Sequence, residues 1–133
     1  MEIRKSTETD KSEIETVHIQ AFGAEEGTEI AKLVNDLLED ETAFPLLSLV
    51  AVKNSKIVGH VLYTNAIITQ TTESVSAQLL APLAVLPEAQ NQGIGSQLVR
   101  EGLNQLKESG VEVVFVPVSY THLTLPTKVL VCR

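Results

Sequence analysis

The stretch Leu83-Ala84-Val85-Leu86-Pro87-Glu88-Ala89-Gln90-Asn91-Gln92-Gly93-Ile94-Gly95-Ser96 decides the reading of this chain. An apolar run stops at Pro87, a short polar loop follows, and two glycines open a helix. The first turn of a helix offers unpaired N–H groups and the positive end of the helix dipole, and glycines let an anion approach the backbone. The stretch therefore reads as an anion cradle. It is not a P-loop, because no Gly-Lys-Ser/Thr follows Gly95, and it is not a full dinucleotide fingerprint, because Leu98 holds the third glycine position. By itself a Gly-x-Gly at a helix start fits equally well with two glycines that ease tight strand–helix packing.

Downstream, the helix runs from about Gln92 to Ser109 and stops at Gly110. Val111 to Val116 is then a dense apolar strand, so the unit should be a right-handed parallel crossover. Upstream, Val75 to Val85 is a strand run with Pro82 inside it. Proline cannot donate to a ladder, so the strand ends or bulges there. Thr69 to Ser74 is a polar turn leading into that run. Leu49 to Lys53 and Ile57 to Ile68 flank Lys53-Asn54-Ser55-Lys56 as a hairpin. Before it come two amphipathic helices. One opens at Asp10, with Glu13 at capping-box spacing, and carries Ile14, Val17, His18, Ala21 and Phe22 before Gly23. The other carries Ile30, Leu33, Val34, Leu37 and Leu38 and ends by Pro45. Glu2 to Lys5 is a first short strand. The order is β-α-α-β-β-β-α-β, a mixed α/β fold in one domain.

Composition narrows the function. Hydrophobic residues make up 44% of the 133 positions, enough for one core, so the chain is not a disordered tail. The formal charge of -7 argues against nucleic-acid or anionic-membrane partners, which select basic patches. The start is polar and no apolar run approaches a membrane span. Cys132 is the single cysteine, so no disulfide can form within the chain. Three scattered histidines offer no metal-ligand spacing. The expectation is a cytoplasmic protein without a metal.

Gln90-Asn-Gln-Gly93-Ile-Gly95, preceded by Leu83-Ala-Val-x-Pro87, resembles the Gln/Arg-x-x-Gly-x-Gly/Ala pattern of the GNAT superfamily of N-acetyltransferases. Val58-Gly-His-Val-Leu62 is similar to a strand of its bacterial members. Residues 1–116 are identified as an incomplete domain of this kind, lacking the final helix and strands. The resemblance implies acetyl-CoA as co-substrate and direct acetyl transfer to an amine of a small molecule or peptide, with a homodimer left open. It also implies that the fourth strand bulges, as Pro82 fits, and splays from the fifth. Leu83 and Val85 would give main-chain groups to pantetheine and the thioester. Gln90, Asn91, Gln92, Gly93, Ile94, Gly95 and Ser96 would form the pyrophosphate loop, Asn91 standing where many members have glycine. The alternative is a non-catalytic module that binds coenzyme A or a partner protein.

Catalytic residues are not legible. His60 is a candidate base only if it faces the slot, and His18, on the apolar helix face, reads as a core-edge residue. Glu25, Glu26 and Glu29 could meet a cationic acceptor, though a solvated helix face is the better account of them. The family's leaving-group acid is often a tyrosine after the fifth strand; Tyr120 sits suggestively but lacks the family context. Residues 117–133 also contain no acid, although the preceding 116 positions hold all 17. Val118 to Thr127 resembles a translated sequencing-library adapter: gtc-tct-tat-aca-cat-ctg-acg-ctg-ccg-acg encodes those residues in order. The expectation is a non-native tail from 117 to 133.

Overall fold

A computed structural model describes residues 1–66, 76–117 and 129–132. The polar turn expected at Thr69 to Ser74, Tyr120 and the adapter-like residues 118–127 lie outside the described residues. The elements are β1 (Glu2–Lys5), α1 (Lys11–Phe22), α2 (Ala24–Glu39), β2 (Leu47–Lys53), β3 (Lys56–Ala66), β4 (Ala77–Val85), α3 (Ile94–Glu108), β5 (Val113–Pro117) and β6 (Val129–Cys132). The strands form one sheet in the order β1-β2-β3-β4-β5-β6. The first four pair antiparallel, and β5 joins β4 in parallel through the α3 crossover. The expected mixed α/β order holds, with β6 as an addition. It pairs in parallel with β5 from Val114 to Pro117 and falls within the tail expected from 117 to 133.

The hairpin forms as its turn residues dictate. Asn54 and Ser55 both have positive φ, 53° and 62°, the handedness a two-residue loop needs to match strand twist. The start of α1 differs from the expected Asp10–Glu13 capping box. The Thr7 N–H donates to Asp10 Oδ2 at 2.8 Å, and Arg4 on β1 grips the same carboxylate at 2.7 and 3.2 Å. Asp10 thus closes the turn before α1, while Glu13 accepts the Ile57 N–H at 3.2 Å. Thr7 and Asp10 thus form a capping box one turn upstream of the expected one, and the Arg4 ion pair holds the carboxylate there.

α2 is rotated from its expected face. Leu33 is 50% exposed, whereas Gly27, Ala31 and Val34 are buried. The reason is a close crossing with α1, where a Cβ on Gly27 would lie 2.5 Å from Ile19 Cα. Small residues let the helices approach, and the seam follows them rather than the larger Leu33.

The two faces of the sheet carry different helices. On β3, His60 points to α1, where it meets His18. Tyr63 points the other way, its hydroxyl donating to the Val99 carbonyl of α3 at 2.8 Å. α3 is held close by Gly102, whose absent Cβ leaves room for the Tyr63 ring, and by Gly59, beneath Leu98. Glycine inside a helix normally costs about 1 kcal/mol relative to alanine. Here the sign reverses, because a methyl would enter a fully buried ring and overpacking costs about 1–3 kcal/mol. Gly102→Ala is expected to destabilise the fold by about 1–2 kcal/mol, read from the urea midpoint; a more stable variant would overturn this packing.

Candidate cofactor site

The site begins where the sheet opens. Among the described residues, β5 pairs only with Ala77, Gln78 and Leu79 of β4, the first third of that strand. Beyond Leu79 the two strands part. The β3–β4 register shifts between Val61↔Leu83 and Tyr63↔Leu80, so Ala81 and Pro82 together oppose Leu62. Pro82 therefore sits in a bulge within the strand.

The bulge determines which main-chain groups face the opening. Before it, the Ser76 carbonyl turns toward β5 and accepts from the N–H groups of Glu112 and Val113. After it, the Leu86 N–H donates to the Val58 carbonyl of β3 at 2.8 Å. Antiparallel strands alternate, so Ala84 also turns its groups to β3 while Leu83 and Val85 turn theirs to the side that β5 has left. The Val85 carbonyl there accepts from Gln90 Nε2 at 3.0 Å.

The loop beyond β4 leads straight into α3. Asn91 has φ 63°, a conformation asparagine tolerates better than most residues, and Gly93 has φ 79°. Gly93 caps α3 without any side-chain hydrogen bond, and no acidic residue lies in the first turn. The Gly93 carbonyl accepts the Gln97 N–H at 3.0 Å, which leaves the N–H groups of Ile94, Gly95 and Ser96 as the first turn's free donors. Ile94 is buried and anchors the turn, while Gln90 to Gly93 are exposed.

Tight packing does not explain the glycines. A Cβ on Gly93 would meet nothing within 4 Å, and one on Gly95 would make ordinary 3.7 Å contacts with Leu83 and Val85. Gly93 is required by its backbone angle and leaves the helix end open. Lys53, at the end of β2, is a cation that sequence reading missed. Its Nζ donates to Gln92 Oε1 at 3.1 Å, and no local signal links positions 39 residues apart.

The catalytic candidates fare differently. His60 does not face the opening. It is fully buried, one ring nitrogen hydrogen-bonded to Ser48 Oγ and the other to His18 Nε2, each at 2.8 Å. The condition for its role as a base fails because its strand position points to α1. His18 is also fully buried, stacks on Phe22, and leaves Nδ1 without a partner. Glu25, Glu26 and Glu29 lie exposed on α2. Among the described residues no cluster of His, Cys, Asp or Glu could hold a metal ion, and no helix is long and apolar enough to cross a membrane.

Residues 2–123 match the model of the acetyltransferase (GNAT) domain. The chain belongs to the GNAT family of acetyltransferases. It is 44% identical over 108 residues to an uncharacterized N-acetyltransferase, YjhQ, of Escherichia coli K12; the match covers 81% of this chain but 58% of that protein. Its fold is similar to a GNAT acetyltransferase from Brucella melitensis in complex with acetyl-CoA, at TM-score 0.74 and 32% identity, covering 85% of this chain and 72% of the other. It is also similar to YhbS of Escherichia coli in complex with CoA, at TM-score 0.72 and 33% identity, covering 83% and 58%.

Burial gives the two histidines of this family member a measurable signature. It holds His18 down at about 4 and, with the neighbouring His18 ring adding to it, His60 at about 3. The unfolded rings take up protons first as pH falls, so the unfolded state gains. Stability present above about 6.5, the ordinary histidine value, should decline as pH drops toward 4. Asp10, pulled down to about 2 by the Arg4 hydrogen bond, contributes in a separate window, lost between 3.8 and 2. Urea midpoints measured from pH 7 to 4 should fall steadily; a flat profile would mean that the rings are solvated.

Proposed function

We propose that this chain is the acetyl-CoA-binding part of an N-acetyltransferase that moves an acetyl group directly to an amine of a small molecule or peptide. The parting of β4 from β5, with Leu83 and Val85 turned toward the gap and the gap leading to the uncapped start of α3, carries the reading. The amides of pantetheine would pair with Leu83 and Val85 as an added strand does. Gln90 would release the Val85 carbonyl as it turns to the pyrophosphate. The N–H groups from Gln92 to Ser96 would hold that anion, with Lys53 supplying positive charge nearby.

In the reaction a neutral amine attacks the thioester carbonyl, a carbon–nitrogen bond forms and coenzyme A leaves as the thiol. A main-chain N–H of β4 facing the gap would stabilise the oxyanion. The acetyl-CoA and CoA complexes of the Brucella and Escherichia coli relatives support the cofactor assignment. For residues 117–133 we propose a non-native origin, tested by reading the gene across the codon for Val116; a genomic sequence encoding the same residues would overturn it.

Titration calorimetry with acetyl-CoA tests the site. Gly93→Val forces a β-branched residue to positive φ and fills the open helix end. Binding should weaken at least about tenfold, equivalent to about 1.4 kcal/mol. Gly95→Ala, whose Cβ makes only ordinary contacts, should remain folded and serve as the control. A Gly93→Val protein that binds as tightly as the parent would refute the phosphate cradle. Binding without acetyl transfer to any of a panel of polyamines, aminoglycosides, amino acids and peptides would identify a coenzyme A-binding module instead.

A further inference from the structure

At the end of β2 opposite Lys53, a chain of hydrogen bonds runs from a cleft into the core. Ser6 Oγ donates to Ser48 Oγ at 2.7 Å, Ser48 Oγ lies 2.8 Å from His60 Nε2, and His60 Nδ1 lies 2.8 Å from His18 Nε2. The cleft has a volume of about 360 Å³, and Ser6, Ser48, Leu38, Phe44, Leu46 and Lys11 are among the residues that line it. Ser48 retains 7% exposure, and both histidines are sealed.

One direction of the chain gives every hydroxyl proton an acceptor. Ser48 Oγ already receives a hydrogen from Ser6, and the acceptor within reach of its own proton is His60 Nε2. In that direction His60 is the Nδ1–H tautomer and donates to His18 Nε2, which puts the His18 hydrogen on Nδ1, the ring nitrogen without a partner. A nucleophile hydrogen-bonded to a base, with the base oriented by a third group, is the arrangement that activates a serine.

We propose that Ser48 is an acylatable nucleophile, with His60 as its base and His18 as the residue that orients His60, and that it accepts short apolar acyl groups from activated esters entering this cleft. The site stands apart from the Gly93 loop and from the acetyltransferase reading, since five residues of extended strand, about 17 Å, separate Ser48 from Lys53. In the step, Ser48 Oγ bonds to the carbonyl carbon and its proton passes to His60 Nε2. The leaving alkoxide takes that proton as the carbon–oxygen bond breaks, and an acyl-serine remains. Burial keeps both rings neutral, the form that accepts a proton. A base with so low an affinity for protons gives slow acylation, so covalent labelling is the observable.

The folded chain is treated with an alkyl fluorophosphonate and its peptides are weighed. The adduct is expected on Ser48, with the other serines as internal controls, and should disappear when labelling is done in urea. His60→Gln should slow labelling by about 10²-fold or more, the contribution typical of a general base. Nitrogen-15 spectra of the wild-type protein test the arrangement without a variant, because His60 should carry its proton on Nδ1 with Nε2 bare. No adduct on Ser48 in folded protein, an unchanged rate in a folded His60→Gln variant, or a His60 protonated on Nε2 would each overturn the proposal.

Discussion

Pro82 has no N–H, and it occupies the strand position whose groups should turn toward β3. Counting back from the Leu86–Val58 bond, Ala84 and then position 82 face β3. A residue that cannot donate there leaves the ladder incomplete, and the strand takes up the defect as a bulge with Ala81 and Pro82 opposite Leu62. The extra residue inverts the alternation along β4. Upstream, even-numbered residues offer their main chain to β5; downstream, odd-numbered residues offer theirs to open space. Pairing with β5 ends at Leu79, just before the inversion. The two halves of β4 thus serve different partners: β5 for the first, and the gap for the second.

What was legible in the sequence was what is encoded locally. The glycines, Asn54 and Pro82 announce backbone geometry through their own chemistry, and the loop between β4 and α3 was readable because its requirement for positive φ lies in adjacent residues. Contacts across the fold left no such mark. Arg4 holds Asp10 in a cap one turn upstream of the expected one, Gly27 rotates the buried seam of α2, and Lys53 reaches Gln92 from another hairpin. His60 is the sharpest case. Alternation along β3 placed it on one of two faces, and only the packing of α1 decided that this face was core rather than opening. A strand pattern determines that neighbouring residues face oppositely, not which face a ligand will use.

The buried polar chain at Ser48 and the open loop at Gly93 lie at opposite ends of β2 and obey opposite rules. In the core, each unmet hydrogen bond costs about 1–3 kcal/mol, so Ser6, Ser48, His60 and His18 are linked in series and only the last nitrogen is orphaned. At the loop, free N–H groups face solvent, where water satisfies them at small cost until an anion replaces it. Burial thus forces the polar groups at Ser48 to pair with one another, while those at the loop stay open to a partner from solution.

The gap and the helix start also constrain one another. Leu83 and Val85 turn their main chain to the gap and their side chains toward Gly95, within 3.7 Å of where its Cβ would lie. One pair of residues therefore sets both the strand edge and the seat of α3. A slip of one residue in the β3–β4 register would exchange these roles, sending Ala84 to the gap and its side chain to the helix. The α1 face would then receive Leu83 or Val85 beside His60, where only the small Ala84 now lies, 3% exposed. Core volume on the α1 face thus holds the register that aligns the strand edge with the free N–H groups of α3, and the geometry of the opening is maintained from the opposite face of the sheet.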